Sequence, residues 1–254
     1  MSERATATER RARRRRETTE EVLEVALAVM AESGAAGLSL GEVARRMGIR
    51  PPSLYEYFDS KNAIYDELFA RGWRQLSQWM ARYDAPLQRA SDIDEARKAA
   101  TAAVLGFVQW AVEHPTYAQL MFWRPVPGFT PSAAAYRHAV EALDWVDRAL
   151  RSLADRGFLR IDAGSDEAVG VLITMVTGVI SQHLANEPAA TFAKSRHCAM
   201  VPVLTEMFFN HFSTSEDPDD SHAGGAAATD TTRGSGQGHG GPDRRLRRAA
   251  ARPG

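Results

Sequence analysis

Few side chains in this sequence are placed to form a reactive centre. His197 and Cys198 are neighbours, a pairing that serves nucleophilic chemistry or metal binding elsewhere. They are adjacent in a predicted helix, however, so their side chains point in different directions. Asp217, Asp219 and Asp220 lie in a polar C-terminal segment and are interpreted as solvated charge. Because no zinc motif, phosphate-binding glycine loop or nucleophile elbow occurs, we predict no catalytic residues, no metal site and no cofactor.

Arginine is concentrated at the N-terminus, where the chemistry it favours is phosphate binding. The first sixteen residues carry seven arginines against two glutamates, although the whole chain has a formal net charge of −1. These residues are Arg4, Arg10, Arg11 and Arg13 to Arg16. A mobile basic arm of this kind tracks phosphates or a minor groove. A solvated tail without a partner has the same composition, so both interpretations stay open.

The bulk composition is that of a globular protein, with 254 residues, 44% hydrophobic and 25% charged. Cys198 is the single cysteine, so an internal disulfide is excluded and a reducing compartment is expected. The longest nearly uncharged run, Ala168 to Leu184, contains threonine, glutamine and histidine and is too short and polar to span a bilayer comfortably. We therefore predict a cytoplasmic, nucleoid-associated protein without a membrane partner.

The positions of apolar and helix-capping residues predict helices near the N-terminus. The first helix covers about 17–33, and the second starts with a Ser39–Glu42 capping box and ends at Gly48. The third covers 51 to about 58, and a fourth begins after an Asp59-Ser60 cap. Gly48 allows the chain to reverse between the second and third helices, since glycine takes positive φ freely. A longer helix followed by two short ones across a tight turn is a helix-turn-helix.

The remaining pattern predicts further helices and no strand. They cover about 92–113, a short segment to Phe122, a long segment that stops at Gly157, then 166–186 and 191–212. The fold class is therefore all-α: an N-terminal three-helix helix-turn-helix domain plus a C-terminal helical bundle. We divide the chain into a flexible basic arm (1–16), a DNA-binding domain (17–62), a helical regulatory domain (63–212) and a disordered tail (213–254).

Three stretches carry a resemblance to a known family. They are Leu38-Ser39-Leu40-Gly41-Glu42-Val43-Ala44, then Gly48-Ile49, then Ser53-Leu54-Tyr55-x-Tyr57-Phe58-x-Ser60-Lys61. This pattern resembles the DNA-binding domain of the tetracycline-repressor (TetR) family. The resemblance implies phosphate contacts from Tyr55 and Lys61, base contacts around Ser53, a core role for Phe58 and an undecided role for Tyr57. The implied DNA-binding set is Ser39, Leu40, Arg50, Pro51, Pro52, Ser53, Tyr55, Tyr57 and Lys61.

One feature departs from that pattern. Pro51 and Pro52 remove two backbone donors that would otherwise meet a phosphate, and Pro52 cannot read a base by hydrogen bonding. We therefore expect modest direct readout, supplemented by apolar contacts to thymine methyl groups and by groove shape. The first predicted helix is itself acidic, so the arginine-rich arm is expected to hold the complex electrostatically.

The segment after Ile64 resembles the regulatory domain of the same family. Trp110, followed by the His114-Pro115 pair, resembles one subgroup of it (WHG-like). A small hydrophobic effector is expected where aromatic and thioether groups concentrate, although a packed core has the same composition. The predicted pocket residues are Phe107, Trp110, His114, Met121, Phe122, Trp123, His138, Trp145, Thr174 and Met175.

The resemblance also implies a homodimer in which the last two long helices pair with their copies. The predicted interface residues are Val171, Met200, Val203, Leu204, Met207 and Phe208. The predicted function is a repressor that a small hydrophobic effector releases from palindromic double-stranded DNA, through a shift of the helix that begins at Lys61. The alternative is an architectural protein that coats nucleic acid through arginine-rich ends, using Arg244, Arg245, Arg247 and Arg248 as well.

Overall fold

The computed structural model describes the backbone of residues 2–213 and the side chains of residues 8–160 and 162–213. Within that part of the chain the regular structure is helical and there is no strand, which confirms the all-α prediction. The N-terminal helices are α1 (Ser2–Ser33), α2 (Leu40–Arg46), α3 (Pro51–Leu54) and α4 (Lys61–Met80). The predicted disordered tail lies, apart from Ser213, outside the described residues.

The chain continues after α4 into the C-terminal helices. They are α5 (Asp84–Arg89), α6 (Ile93–Glu113), α7 (Pro115–Phe122), α8 (Ala133–Asp155), α9 (Asp166–Asn186) and α10 (Val201–His211). Helix α4 packs against α1, α6, α7 and α8, and so joins the helix-turn-helix to the rest of the molecule. Helix α9 has the length and mean hydropathy of a membrane span, a property shared by core helices of soluble proteins, and it packs against α6, α8 and α10.

Helix starts follow the side chains that can cap them. Ser39, Ser60 and Asp92 each accept a hydrogen bond from the backbone N–H three residues on, at 3.4, 3.1 and 2.8 Å. Ser165 caps α9 in the same way, at 3.2 Å. These bonds satisfy donors that the helix cannot pair by itself. Pro86 lies inside the first turn of α5, where its missing N–H would have no helical partner.

The first helix begins fifteen residues earlier than predicted. Residues 8–16 continue α1 as a solvent-exposed helix rather than as an irregular arm. Arginine, alanine and glutamate have good helix propensity, and Arg13 pairs with Glu17 one turn later at 3.3 Å. The division of the chain into an arm and three further segments stays a prediction.

The last predicted helix is shorter than expected. Instead of one helix over 191–212, short 3₁₀ turns at Phe192–Lys194 and Cys198–Met200 precede α10. The Glu187 carboxylate accepts hydrogen bonds from the Ser195 hydroxyl and the Arg196 N–H, at 2.8 and 3.1 Å, and these bonds hold the chain in a non-helical path. Pro202 then occupies the first turn of α10, where it needs no hydrogen-bond partner.

Candidate DNA-binding surface and apolar cavity

The turn between α2 and α3 depends on Gly48. Its φ is +68°, a left-handed conformation that residues with a Cβ rarely adopt. The N–H groups of Gly48 and Ile49 donate to the carbonyls of Arg45 and Ala44, at 3.2 and 3.0 Å. This pair of bonds is a Schellman motif, which ends α2 and turns the chain toward α3.

Helix α3 and the turn after it present a short exposed surface, which we call the reading turn (residues 50–57). Arg50, Pro51 and Pro52 are exposed, Ser53 is half-buried and Tyr55 is 54% exposed. The helix ends at Leu54 rather than near Phe58, although the N–H groups of residues 57 and 58 still donate to the Leu54 carbonyl. The reading turn therefore presents both polar and apolar side chains on the protein surface, where a macromolecule can contact them.

Buried apolar residues hold the reading turn in place. Leu54 is 1% exposed and Phe58 is 8% exposed, so Phe58 belongs to the core as expected. Val43 and Ala44 of α2 are fully buried too, and Val43 belongs to the same apolar cluster, which also contains residues of α1 and α4. The exposed residues of α3 therefore rest on a packed three-helix core.

The other predicted DNA contacts flank the reading turn. Ser39 is exposed at the start of α2 and Leu40 is half-buried. The Lys61 ammonium donates to the Ala36 carbonyl at 3.2 Å and lies 5.5 Å from the Tyr65 ring. This bond ties the start of α4 to the loop after α1, while Lys61 stays partly accessible.

Sequence reasoning missed a contact between the N-terminal arm and the reading turn. The Arg15 guanidinium donates to the Glu56 carbonyl at 2.8 Å and lies over the Tyr57 ring, 5.5 Å from its centroid. No local sequence signal predicts this contact, because the residues are 41 positions apart. Tyr57 is half-buried beneath Arg15, which reduces the ring surface open to DNA.

Ion pairs connect residues within α2 and join α2 to α1. The Glu42 carboxylate accepts from Arg45 and Arg46, and Arg46 also pairs with Glu32 of α1 at 2.6 Å. Hydrogen bonds from Arg45 and Arg46 lower the pKa of Glu42 to about 2. The predicted capping box is therefore only half formed: the Ser39 hydroxyl caps α2, but the Glu42 carboxylate binds arginine.

A cavity lies between α6, α8 and α9, and about 670 Å³ of space without protein atoms belongs to it when the adjoining open solvent is included. Met80 at the end of α4 and Leu87 of α5 complete its wall. The other lining residues are Ala100, Ala103, Val104 and Phe107 of α6, Trp145, Val146, Ala149, Leu150 and Leu153 of α8, and Leu172, Ile173, Val176 and Thr177 of α9. The set is almost wholly apolar, which is typical of small-molecule sites.

The two polar groups in the cavity wall already have partners. The Thr177 hydroxyl donates to the Ile173 carbonyl one turn earlier, at 2.7 Å. The Trp145 indole N–H donates to the Asp84 carboxylate. The lining side chains within the described residues thus keep no free N–H or O–H donor for a ligand, so shape and apolar area would determine recognition.

Two family models match the chain. Residues 22–68 match the model of bacterial regulatory proteins of the tetR family, and residues 100–200 match a tetracyclin repressor-like C-terminal domain. The first match covers the helix-turn-helix and the second covers the helices around the cavity. The chain belongs to the tetR family. The finer assignment to a subgroup through Trp110 and His114-Pro115 stays a prediction.

Relatives and solved structures agree with membership of the tetR family. HTH-type transcriptional regulator YobS of Bacillus subtilis (strain 168), itself uncharacterized, is 31% identical over 100 residues, which are 39% of this chain and 49% of YobS. The matched region therefore spans about half the length of the curated relatives.

Among solved structures, the TetR family transcriptional regulator PfmR from Thermus thermophilus has a TM-score of 0.58 at 16% identity, over 77% of this chain and 99% of PfmR. FadR from Bacillus subtilis in complex with stearoyl-CoA has a TM-score of 0.55 at 14% identity, over 75% of this chain and 97% of FadR. At identities this low, the TM-scores show a shared fold and nothing more specific.

The predicted pocket residues of this tetR-family chain divide into two groups. Phe107 and Trp145 line the cavity, and Met175 borders a smaller gap beside it. His138 instead pairs with Glu141 at 3.1 Å, and Thr174 is exposed. The structure does not bring these last two predicted residues to the cavity wall.

The predicted pocket residues on and beside α7 also do not line the cavity, and α7 itself packs against α4, α6 and α1. Trp110 stacks on His114 with ring centroids 4.8 Å apart, and Phe122 packs 5.7 Å from both Phe107 and Trp73. Met121 is buried and Trp123 is 37% exposed. Apart from Trp145, sequence reasoning missed the α8 and α9 lining, whose signal is the row of small and apolar residues at Ala149, Leu153, Leu172 and Val176.

Four of the predicted interface residues are exposed apolar side chains of α9, of α10 and of the turn before α10, and together they are called the apolar patch. Val171 is 39% exposed, Met200 and Val203 are 48% exposed and Met207 is 59% exposed. Phe208, by contrast, is 3% exposed and packs against Phe209 and Phe212 within the same subunit. Phe208 is therefore packed inside its own subunit, and its place in the interface stays a prediction. Leu204 is half-buried beside the smaller gap.

Cys198 of the histidine–cysteine pair lies in the interior of the protein. Cys198 is 2% exposed, and burial raises the pKa of its thiol, which keeps it protonated. Its N–H donates to the Ser195 hydroxyl at 3.2 Å. Within residues 2–213, no three His, Cys, Asp or Glu side chains are grouped to hold a metal ion.

Proposed function

We propose that the protein is a transcriptional repressor that binds a palindromic operator as a homodimer and dissociates when a small hydrophobic effector binds. The observation that carries the DNA-binding half is the exposure of Arg50, Pro51, Pro52 and Tyr55 on a turn whose interior side is fully packed. Recognition helices of this length enter the major groove with their N-terminal residues. Membership of the tetR family supports the same role.

The apolar patch supports the dimer. Val171, Met200, Val203 and Met207 are four of the six large hydrophobic side chains that are exposed within the described residues. Such patches mark interaction sites, and two half-sites on DNA require two reading turns. A twofold axis across α9 and α10 would cover all four side chains with their copies.

The cavity supports an effector with an apolar body. Its wall is almost wholly apolar and has no charged side chain, which is the usual lining of small-molecule sites. The likeness to FadR, whose structure holds stearoyl-CoA, makes an alkyl chain a reasonable first choice. A charged head group would have to remain at the opening, because burying it without a partner is costly.

Helix α4 offers the connection between effector and operator. It begins at Lys61 beside the reading turn and ends at Met80 in the cavity wall, a distance of about 30 Å along a 20-residue helix. An effector that displaces the Met80 end would tilt α4 and change the separation of the two reading turns. Effector and operator would then favour different conformations, which makes their binding mutually antagonistic.

The test begins with selection of duplexes from a random library by the full-length chain. We expect enrichment of a palindrome, with affinity reduced about tenfold or more in Tyr55→Phe if its hydroxyl holds a phosphate. Tyr136→Phe, a half-buried tyrosine on α8, is the matched control. Equal affinity for all duplexes, collapsing together as salt rises, would instead indicate the architectural alternative, which the family matches do not support.

The effector half is tested with the selected duplex and two probes, stearoyl-CoA and decanol. Binding is followed by fluorescence of Trp145, with Trp145→Phe as the control for the four other tryptophans. Release of the duplex by either probe supports the proposal. Failure of both probes to bind leaves specific DNA binding intact and contradicts an alkyl effector. We place the protein in the cytoplasm, where its operator would be.

A further inference from the structure

The N-terminal part of α1 is a helix without a core to pack on. Every side chain from residue 8 to residue 16 is exposed, and none is larger and more apolar than alanine. Arg10, Arg11, Arg14 and Arg16 have no hydrogen-bond or ion-pair partner among the described residues. A cationic helix of this kind attracts a polyanion electrostatically, whereas it has no large apolar side chain to bury against an apolar partner.

Arg15 attaches the exposed cationic part of α1 to the body of the protein. Its guanidinium binds the Glu56 carbonyl and covers Tyr57, so the arm joins the protein at the edge of the reading turn. Arg15 is seven positions before Val22, which is fully buried under the helix-turn-helix. Because residues four and seven apart share a helix face, Arg11 continues that face one turn beyond the protein body.

We propose that residues 8–16 form a rigid helical arm that binds DNA phosphates adjacent to the sequence contacted by the reading turn. This inference rests on the proposed function, because it assumes the same DNA partner. Charge complementarity favours phosphate, and the anchorage by Arg15 favours the duplex that the reading turn contacts over an unrelated anion. The arm contributes affinity and footprint length, whereas residues 50–57 select the sequence.

The experiment compares two triple variants of the full-length chain on a duplex selected by the wild type. The arm variant is Arg10→Gln, Arg11→Gln and Arg14→Gln. The control removes three exposed arginines of the regulatory domain, with Arg89→Gln, Arg137→Gln and Arg148→Gln. Both variants lose three positive charges, so any difference between them reports position rather than net charge.

In the arm variant we expect the magnitude of the slope of log affinity against log salt to fall by up to about 2.7 per subunit, or about 5.4 for a dimer, at about 0.9 per lost phosphate contact. In the control the slope should stay near that of the wild type. The preference for selected over scrambled duplex should persist. Hydroxyl-radical footprinting should show loss of backbone protection outside the selected sequence in the arm variant alone.

Equal slopes and footprints in the arm variant and the wild type would overturn the arm proposal while the proposed function stands. Loss of discrimination between selected and scrambled duplex in the arm variant would overturn it too, because the arm would then read sequence. If the wild type selects no sequence at all, the proposed function itself fails, and this result is distinct from the other two.

Discussion

Arg71 of α4 donates to the carboxylate of Glu24 of α1, with 2.8 Å between Nη1 and Oε1. It also pairs with Glu20, one turn earlier on α1. Arg71 is 8% exposed, whereas both glutamate side chains are more than 60% exposed. Burial lowers the pKa of the guanidinium, but Tyr117 and Glu20 outweigh it, so the net pKa is raised and the charge is kept. The helix-turn-helix is thus fastened to α4 by a buried cation.

Because only Arg71 is buried, removing the two glutamates should lower the free energy of unfolding more than removing Arg71 does. The double variant Glu20→Ala and Glu24→Ala leaves a buried guanidinium uncompensated and should lower the free energy of unfolding by about 2–4 kcal/mol. Arg71→Met leaves only solvated carboxylates and should cost about 1 kcal/mol or less. Urea denaturation of the full chain measures both values. A larger loss for Arg71→Met would contradict the buried-cation account.

Two glycines of the helix-turn-helix should respond to alanine with opposite signs. Gly48→Ala forces a positive φ on a residue with a Cβ and should destabilise by about 1–2 kcal/mol, although the added methyl group would meet no atom within 4 Å. Gly41→Ala is the control in helix α2, where alanine is favoured by up to about 1 kcal/mol. Thermal unfolding followed by circular dichroism distinguishes them. A stabilising Gly48→Ala would show that the turn does not need its left-handed conformation.

Local features of this fold were predictable from sequence because their causes are local. Ser60 and Ser165 start helices through bonds to residues only three positions away. Gly157, with φ of +74°, ends α8 where predicted. The start of α10 was not predictable, since the Glu187–Ser195 bond that diverts the chain joins two separate elements.

The site was predictable only in part, for a similar reason. The exposed residues of the reading turn follow from the helix-turn-helix pattern. The cavity depends on how α6, α8 and α9 pack, so the aromatic cluster at Trp110 and Phe122 was a poor guide to its wall. Adjacent apolar residues on α10 also differ in role, with Met207 exposed and Phe208 buried, and the composition of the stripe does not distinguish them.

The exposed patch predicts that a charge at Met207 prevents dimer formation. Met207→Asp replaces the most exposed apolar side chain of the patch by a carboxylate, and its burial in a dimer would be costly. We expect the dimer dissociation constant to rise at least tenfold, as measured by sedimentation velocity over a concentration series. Trp123→Asp changes an exposed aromatic residue away from the patch and should leave the dimer intact. A dimeric Met207→Asp protein would place the interface elsewhere.

His183 predicts a loss of stability in mild acid. It is 1% exposed, its Nδ1 has no hydrogen-bond partner within the described residues, and burial lowers its pKa despite the nearby Glu187. The unfolded chain therefore binds a proton more readily than the folded chain, and stability that is present above about pH 6.5 declines as the pH falls through the lowered pKa. The midpoint of urea unfolding should drop less between pH 7.5 and 5.5 in His183→Leu than in the wild type.

His211→Gln, at an exposed position of α10, is the matched control for that measurement and should follow the wild-type profile. Identical profiles for His183→Leu and the wild type would mean that other groups cause the acid sensitivity.

The cavity predicts that one added side chain separates effector binding from operator binding. Ala103→Leu places three further carbon atoms in the space between α6, α8 and α9, whereas Ala102→Leu on the same helix points to solvent. We expect Ala103→Leu to bind the selected duplex normally but to lose about tenfold or more in affinity for an alkyl probe, because the space is filled. Its free energy of unfolding should change by less than about 2 kcal/mol, since the cavity accommodates the new atoms. Fluorescence titration measures probe affinity, and duplex release measures the response of operator binding. If Ala103→Leu and Ala102→Leu both bind the probe with wild-type affinity, the effector site lies outside this cavity.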